Sequence, residues 1–135
     1  MKETPEQRSR TMRAVKSRNT GPELAVRSLL RLFGYPGYRI HRKDLPGNPD
    51  IAFIGRKKAI FVHGCFWHGH TCKHGSVMPK SNRPYWLQKI ERNKTRDKAS
   101  AASLGELGWS VLTVWECELK DGERIGRKLI RFLRR

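Results

Sequence analysis

The stretch HGCFWHGHTC, His63 to Cys72, constrains this chain more than any other. It sets three histidines, two cysteines, a phenylalanine and a tryptophan within ten residues. A packed core has no use for that mixture. A third cysteine, Cys117, closes the apolar run WSVLTVWEC far along the chain. Zinc takes four soft or borderline ligands in a tetrahedron. Cys65, Cys72 and Cys117 supply three, and a loop histidine supplies the fourth. The pattern Cys65-x4-His70-x-Cys72 favours His70, with His68 and His74 as competitors that spacing alone leaves open. Such a zinc would tie the loop to the edge of the sheet. Four protein ligands leave no open position, so the metal is expected to be structural. The competing view, three unrelated thiols, draws on the absence of a repeated Cys-x-x-Cys. It is disfavoured because each cysteine falls in this loop or at an expected strand end.

The elements around the loop follow from period and punctuation. Thr4-Pro5-Glu6-Gln7 reads as a capping box opening a basic helix that runs to about Ser17. Thr20-Gly21-Pro22-Glu23 opens a second helix, with Leu24, Leu29, Leu30, Leu32 and Phe33 on its apolar side and Gly34 as its stop. Tyr38 to His41 reads as a short strand. After the turn LPGNPD, the runs DIAFIG and KAIFVHG read as two strands joined at Gly55-Arg56. A long helix is expected from about Pro84 to Leu107, with Trp86, Leu87, Ile90, Leu104 and Leu107 as its apolar points. WSVLTVWEC is apolar enough to predict a central strand. A last helix spans Gly122 to Arg134, with Ile125, Leu129, Ile130, Phe132 and Leu133. The order α, α, β, β, β, α, β, α predicts an α/β fold, a mixed β-sheet flanked by helices. Its 135 residues suit one domain over 1–135.

Charge narrows the partner. Lys and Arg number 29 against 12 Asp and Glu, a net charge of +17. So strong a positive charge, spread over the whole chain rather than along one amphipathic helix, points to nucleic acid more than to a membrane surface. No apolar run reaches the ~18 residues of a membrane-crossing helix. The three cysteines cannot all pair within one chain, and the N-terminus lacks the apolar core of a secretion signal. A reducing cytoplasm is the expected compartment.

Asp50 opens a strand directly after a Gly/Pro turn, where a fixed carboxylate makes a hard-oxygen ligand for Mg²⁺. Taken alone, it would pass for an ordinary turn aspartate. In a nuclease of the Pro-Asp type, Glu-x-Lys follows one strand later. Here the next strand ends Phe61-Val62-His63, with neither residue. Glu23 on the second helix and His63 or His68 on the loop are the candidates to fill that gap.

The segments LPGNPDIAF, IFVHGCFWHGHTC, YWLQKIERNKTRD and LGWSVLTVWEC together resemble the very short patch repair (Vsr) DNA mismatch endonucleases, over nearly the whole chain. The resemblance implies a divergent PD-(D/E)xK restriction-endonuclease-like fold with a structural zinc site. It implies an enzyme that nicks the strand 5′ of the thymine in T:G mismatches left by 5-methylcytosine deamination. By the same resemblance, Asp50 holds catalytic Mg²⁺ together with the backbone carbonyl of Val62, where the family often has Thr. His68 matches the catalytic histidine, while Glu23 and His63 match supporting positions. Cys65, His70, Cys72 and Cys117 match the zinc ligands. Phe66, Trp67 and Trp86 match aromatics that wedge into DNA beside the mispair, and Met12 an apolar residue entering from the minor groove. Arg13 stands with Met12 on the basic helix of residues 1–18, expected to contact DNA phosphates. The implied partner is double-stranded DNA with a T:G mismatch, bound by a monomer. Other mismatch-repair proteins are further candidate partners.

Overall fold

The computed structural model describes residues 20–65, 68, 70 and 82–135. The expected first helix with Met12 and Arg13 lies outside the described residues, as do Phe66, Trp67, Cys72 and His74. Helix α1 spans Gly21–Leu32, capped by the Thr20 hydroxyl, which accepts from the Glu23 N–H at 3.4 Å. Strands β1 (Arg39–Ile40), β2 (Ile51–Phe53) and β3 (Lys58–His63) follow, then helix α2 (Arg83–Glu106) and strand β4 (Ser110–Trp115). A 3₁₀ turn over Glu116–Lys120 leads into helix α3 (Gly122–Arg134).

Among the described residues the sheet has four strands in the order β1-β2-β3-β4. β1 and β2, and β2 and β3, are antiparallel, whereas β3 and β4 are parallel. A parallel pair needs a long crossover, and α2 lies in the connection that provides it. The expectation of a central β4 is therefore corrected: it sits at one end of the described sheet. Its apolarity comes from cover on both faces rather than from two strand neighbours. Val114 and Leu112 pack with α1 and α3, while Val111 and Trp109 pack with Leu104 of α2. A strand covered on both faces reads as a continuous apolar run wherever it lies.

The larger core joins Val26 and Leu30 of α1, Ile51 and Phe53 of β2, Ile60 of β3, Val114 of β4, and Ile125, Leu129, Phe132 and Leu133 of α3. A smaller cluster of Ala59, Phe61 and Leu104 fills the opposite face beneath α2. The period-2 alternation of β3 divides its side chains between these two layers. On α1 the buried stripe is Glu23, Val26, Arg27 and Leu30, and Leu24 and Leu32 are exposed. Two charged residues occupy the inward side of this helix, which a count of apolar positions could not reveal.

The turn LPGNPD is held against α2. Gly47 has φ +77°, and a Cβ there would come within 2.6 Å of Ser100 Cβ. Only glycine fits both constraints. This close seat fixes the entry of β2, and with it Asp50. At the far end of the sheet, the Lys58 ammonium donates to the carbonyls of Phe132 and, at 3.0 Å, Arg135. It thereby caps the negative end of α3 and locks that helix onto β3.

Candidate active site

Because β2 runs antiparallel to β3 and β4, its start lies at the same end of the sheet as their C-terminal ends. Asp50, His63 and Trp115 are thus brought to one rim, although the sequence spreads them widely. Three groups of donor residues gather there: Glu23, His41 and Asp50; His63, His68 and Asp97; and Cys65, His70 and Cys117. Within each group the donor atoms lie within 4.8 Å of one another.

In the first group, Asp50 Oδ2 accepts from the Val62 N–H at 2.7 Å. Burial pushes the Asp50 carboxyl above the usual range; the Val62 hydrogen bond and the nearby His41, His68 and Arg27 oppose that without reversing it. A carboxylate in this condition is stabilised by an added cation. Glu23 is buried on α1, and its Oε2 accepts from the Arg27 guanidinium. His41 Nε2 lies 2.8 Å from the same oxygen.

In the second group, His68 Nδ1 is 2.6 Å from Asp97 Oδ2. A carboxylate only accepts, so Nδ1 is the donor in this pair, and Nε2 is the ring nitrogen turned away from Asp97. Burial alone would raise Asp97, but the His68 hydrogen bond and charge, with His63 and Arg96, outweigh it and hold the carboxyl below its usual value. The His63 and His68 rings stack at 3.7 Å, within 2° of parallel. Burial and the neighbouring His68 bring His63 down to about 4, so it is neutral at neutral pH. Its 3.9 Å approach to Asp97 is then not an ion pair.

A histidine whose folded value lies below its unfolded 6.5 protonates more readily when unfolded. Its contribution to stability is complete above that unfolded value and is lost as pH falls toward 4. Denaturant unfolding between these two pH values is expected to show a decline that His63→Asn makes shallower. An equal slope in the variant would contradict this reading of His63.

In the third group, His70 Nδ1 lies 3.6 Å from Cys117 Sγ, and Cys65 is buried beside them. The loop turns back on itself, with the His70 N–H donating to the Cys65 carbonyl at 3.0 Å and the His68 N–H to Gly64 at 3.3 Å. The two histidines therefore part: His70 goes to the thiols and His68 to Asp97. Trp115 stands between the groups, stacked on His70 at 4.1 Å and edge-on to His63 at 5.3 Å. Cys117 lies just past β4 in the 3₁₀ turn, where Glu118 accepts from the Trp115 N–H at 2.9 Å.

Thus Asp50, Glu23, Val62, His63 and His68 share one rim, and Cys65, His70 and Cys117 adjoin it. Trp86 sits half-buried in the first turn of α2, edge-on to Tyr85 at 5.0 Å. Sequence reasoning missed Arg27, His41, Asp97 and Trp115. Asp97 stands among Arg92, Lys94, Arg96 and Lys98, where one acid reads as a surface pairing charge. His41 reads as a strand terminus, and Trp115 as strand packing.

Comparison with known proteins identifies the family. The family model for DNA mismatch endonuclease Vsr matches residues 2–74. Type II nicking enzyme V.XorIIP of Xanthomonas oryzae pv. oryzae is 55% identical over 118 residues, covering 87% of this chain and 85% of that protein. Type II nicking enzyme V.NmeAIP of Neisseria meningitidis is 41% identical over 131 residues, 97% of this chain and 92% of that one. DNA mismatch endonuclease Vsr of Escherichia coli K12 is 42% identical over 118 residues, 87% of this chain and 74% of that one. With a matching family model, relatives that span most of its length and a rim of carboxylates and histidines suited to hydrolysis, this chain belongs to the Vsr family of DNA mismatch endonucleases.

Proposed function

We propose that the enzyme is Mg²⁺-dependent and nicks one strand of duplex DNA 5′ of the thymine in a T:G mismatch. The observation that carries this reading is the meeting of the half-buried Asp50 carboxylate with the His68–Asp97 pair at one end of the sheet. Hydrolysis of a phosphodiester needs both a cation site beside the phosphate and a group that takes a proton from water. The helix–strand–strand frame that presents Asp50 supports a divergent PD-(D/E)xK placement, with Glu23 and the histidines standing where Glu-x-Lys is missing.

Asp50, Glu23 and the Val62 carbonyl offer hard oxygens, the donor chemistry Mg²⁺ prefers, and the raised proton affinity of Asp50 marks a site that gains from a cation. Bound there, Mg²⁺ would neutralise phosphate charge and orient the attacking water. His68 takes that water's proton on Nε2 as its oxygen attacks phosphorus; one P–O ester bond breaks, and the leaving sugar oxygen takes a proton from solvent. Asp97 fixes the His68 tautomer and offsets the charge of the imidazolium that forms. His63, neutral and stacked on His68, holds the plane of that ring without adding charge.

The thiols of Cys65 and Cys117 and the imidazole of His70 form a donor set that suits structural zinc, with Cys72 as the fourth ligand. Zinc there would pin Phe66 and Trp67 within the loop as wedges and set His68 at a fixed spacing from them. Cys117→Ser is expected to lower zinc content and thermal stability together, because it removes the ligand that joins loop and sheet. A variant with full zinc and an unchanged melting temperature would contradict this.

Selection of the mispair follows from wedging. Unstacking costs about a few kcal/mol per step, and less at a mispair. Phe66, Trp67, Trp86 and Met12 serve as the wedges, Arg13 and the other basic side chains as phosphate contacts. The protein acts as a monomer of one domain. The relatives named type II nicking enzymes favour a second reading, a nickase of another mismatch or context. Rates of nicking measured across a panel of matched and mismatched duplexes separate the two. The present reading expects T:G to be the fastest by a wide margin, and equal rates on another mismatch would overturn it.

A further inference from the structure

The geometry points to His41 as a positioning residue of this nuclease, one that ties the Glu23 carboxylate to the Asp50 site. The inference rests on the reading of Asp50 as the cation ligand. His41 follows β1 with φ +50°, in the left-handed region that few residues other than glycine occupy. A backbone held there beside a reactive site is a reason to look for a role. This conformation lets one residue serve two carboxylate-bearing segments. Its main-chain N–H donates to the Asp50 carbonyl at 3.3 Å, while its ring Nε2 reaches Glu23 Oε2 at 2.8 Å. The ring is largely buried, and the Glu23 side chain is only 4% exposed.

A cation bound directly by Glu23, His41 and Asp50 is the rival arrangement, since their donor atoms cluster. Arg27 argues against it. Its guanidinium already bonds Glu23 Oε2 and lies 3.4 Å from His41 Nε2, so a fixed positive charge occupies that side of the group. Both Arg27 and His41 fall on Oε2, so the Glu23 carboxylate is held from one side by two partners. Two carboxylates with donor atoms within 4.8 Å, as in Glu23 and Asp50, repel each other when both are charged, and the Arg27–His41 brace holds Glu23 against that repulsion. Partners that orient a ligand in this way typically contribute about 10–100-fold in metal affinity or activity.

The test uses the full-length, zinc-loaded protein and the variants His41→Asn, His41→Gln and Asp50→Asn. Asparagine accepts a left-handed backbone but is too short to replace the ring contact; glutamine restores a donor with longer reach. Binding of Mn²⁺ alone is read from the free-ion EPR signal, beside zinc content, kcat and KM for nicking. His41→Asn is expected to weaken Mn²⁺ binding and kcat by about 10–100-fold with KM and zinc unchanged, and His41→Gln to recover part of both. Wild-type Mn²⁺ affinity and kcat in His41→Asn would overturn the inference. So would parallel losses of zinc, KM and kcat, or failure of both His41 variants to fold, since these mark a purely structural residue. Asp50→Asn separates the underlying reading. If it binds Mn²⁺ like the wild type, Asp50 is not the cation ligand. If it loses Mn²⁺ while His41→Asn does not, the inference about His41 alone falls.

Discussion

Asp50→Ala is expected to abolish Mg²⁺-dependent nicking while duplex binding persists. The carboxylate lies at the start of β2, fixed on one side by the Gly47 seat against Ser100 and on the other by the Val62 N–H. Alanine removes the charged oxygens and leaves the turn and strand intact. A metal that neutralises phosphate charge stabilises the transition state by several kcal/mol, so its loss should lower the rate by about 10³-fold or more. Binding should hold or tighten slightly, because one negative charge leaves a surface that faces phosphates. Gel-shift affinity and single-turnover rates on the same duplex check both halves. Retained Mg²⁺-dependent cleavage in Asp50→Ala would show that the cation is held elsewhere.

His68→Ala is expected to lower the rate by about 10²–10⁴-fold, the range general-base removal commonly gives. Zinc should stay bound, because His68 pairs with Asp97 whereas His70 lies with the cysteines. Asp97→Asn should lose less than His68→Ala, since it disturbs the tautomer and orientation of the base without removing it. Zinc assay of each variant accompanies the kinetics. Loss of zinc from His68→Ala would exchange the roles of the two loop histidines.

Much of this site was legible in the sequence because its signals are local. Thr20-Gly21-Pro22-Glu23 announced α1, and Gly122 to Arg134 announced α3 with its bounds. The mixture in HGCFWHGHTC drew the eye to the loop, and the structure brings His63, Cys65, His68 and His70 of it beside Asp97 and Cys117. What stayed hidden depends on contacts between distant segments. WSVLTVWEC gives no sign of which strand it will pair with, so its place at the end of the described sheet could not be read. Arg27 and Glu23 point inward on a helix whose leucines looked like its inner face. Asp97 is one acid in a basic helix, and only the fold brings it 2.6 Å from a ring 29 positions earlier. His41 carries no motif; its meaning comes from a backbone angle and from α1 lying across it.

The central claim is a Mg²⁺-dependent cut in one strand at a T:G mispair. The most direct measurement labels the two strands of a T:G duplex separately, incubates them with the protein in Mg²⁺ and in EDTA, and maps the ends at single-nucleotide resolution. The account predicts one cut, immediately 5′ of the mispaired thymine, only with Mg²⁺, and an intact guanine strand. Cleavage of both strands, equal cleavage of the matched T:A duplex, or the same cut in EDTA would contradict it.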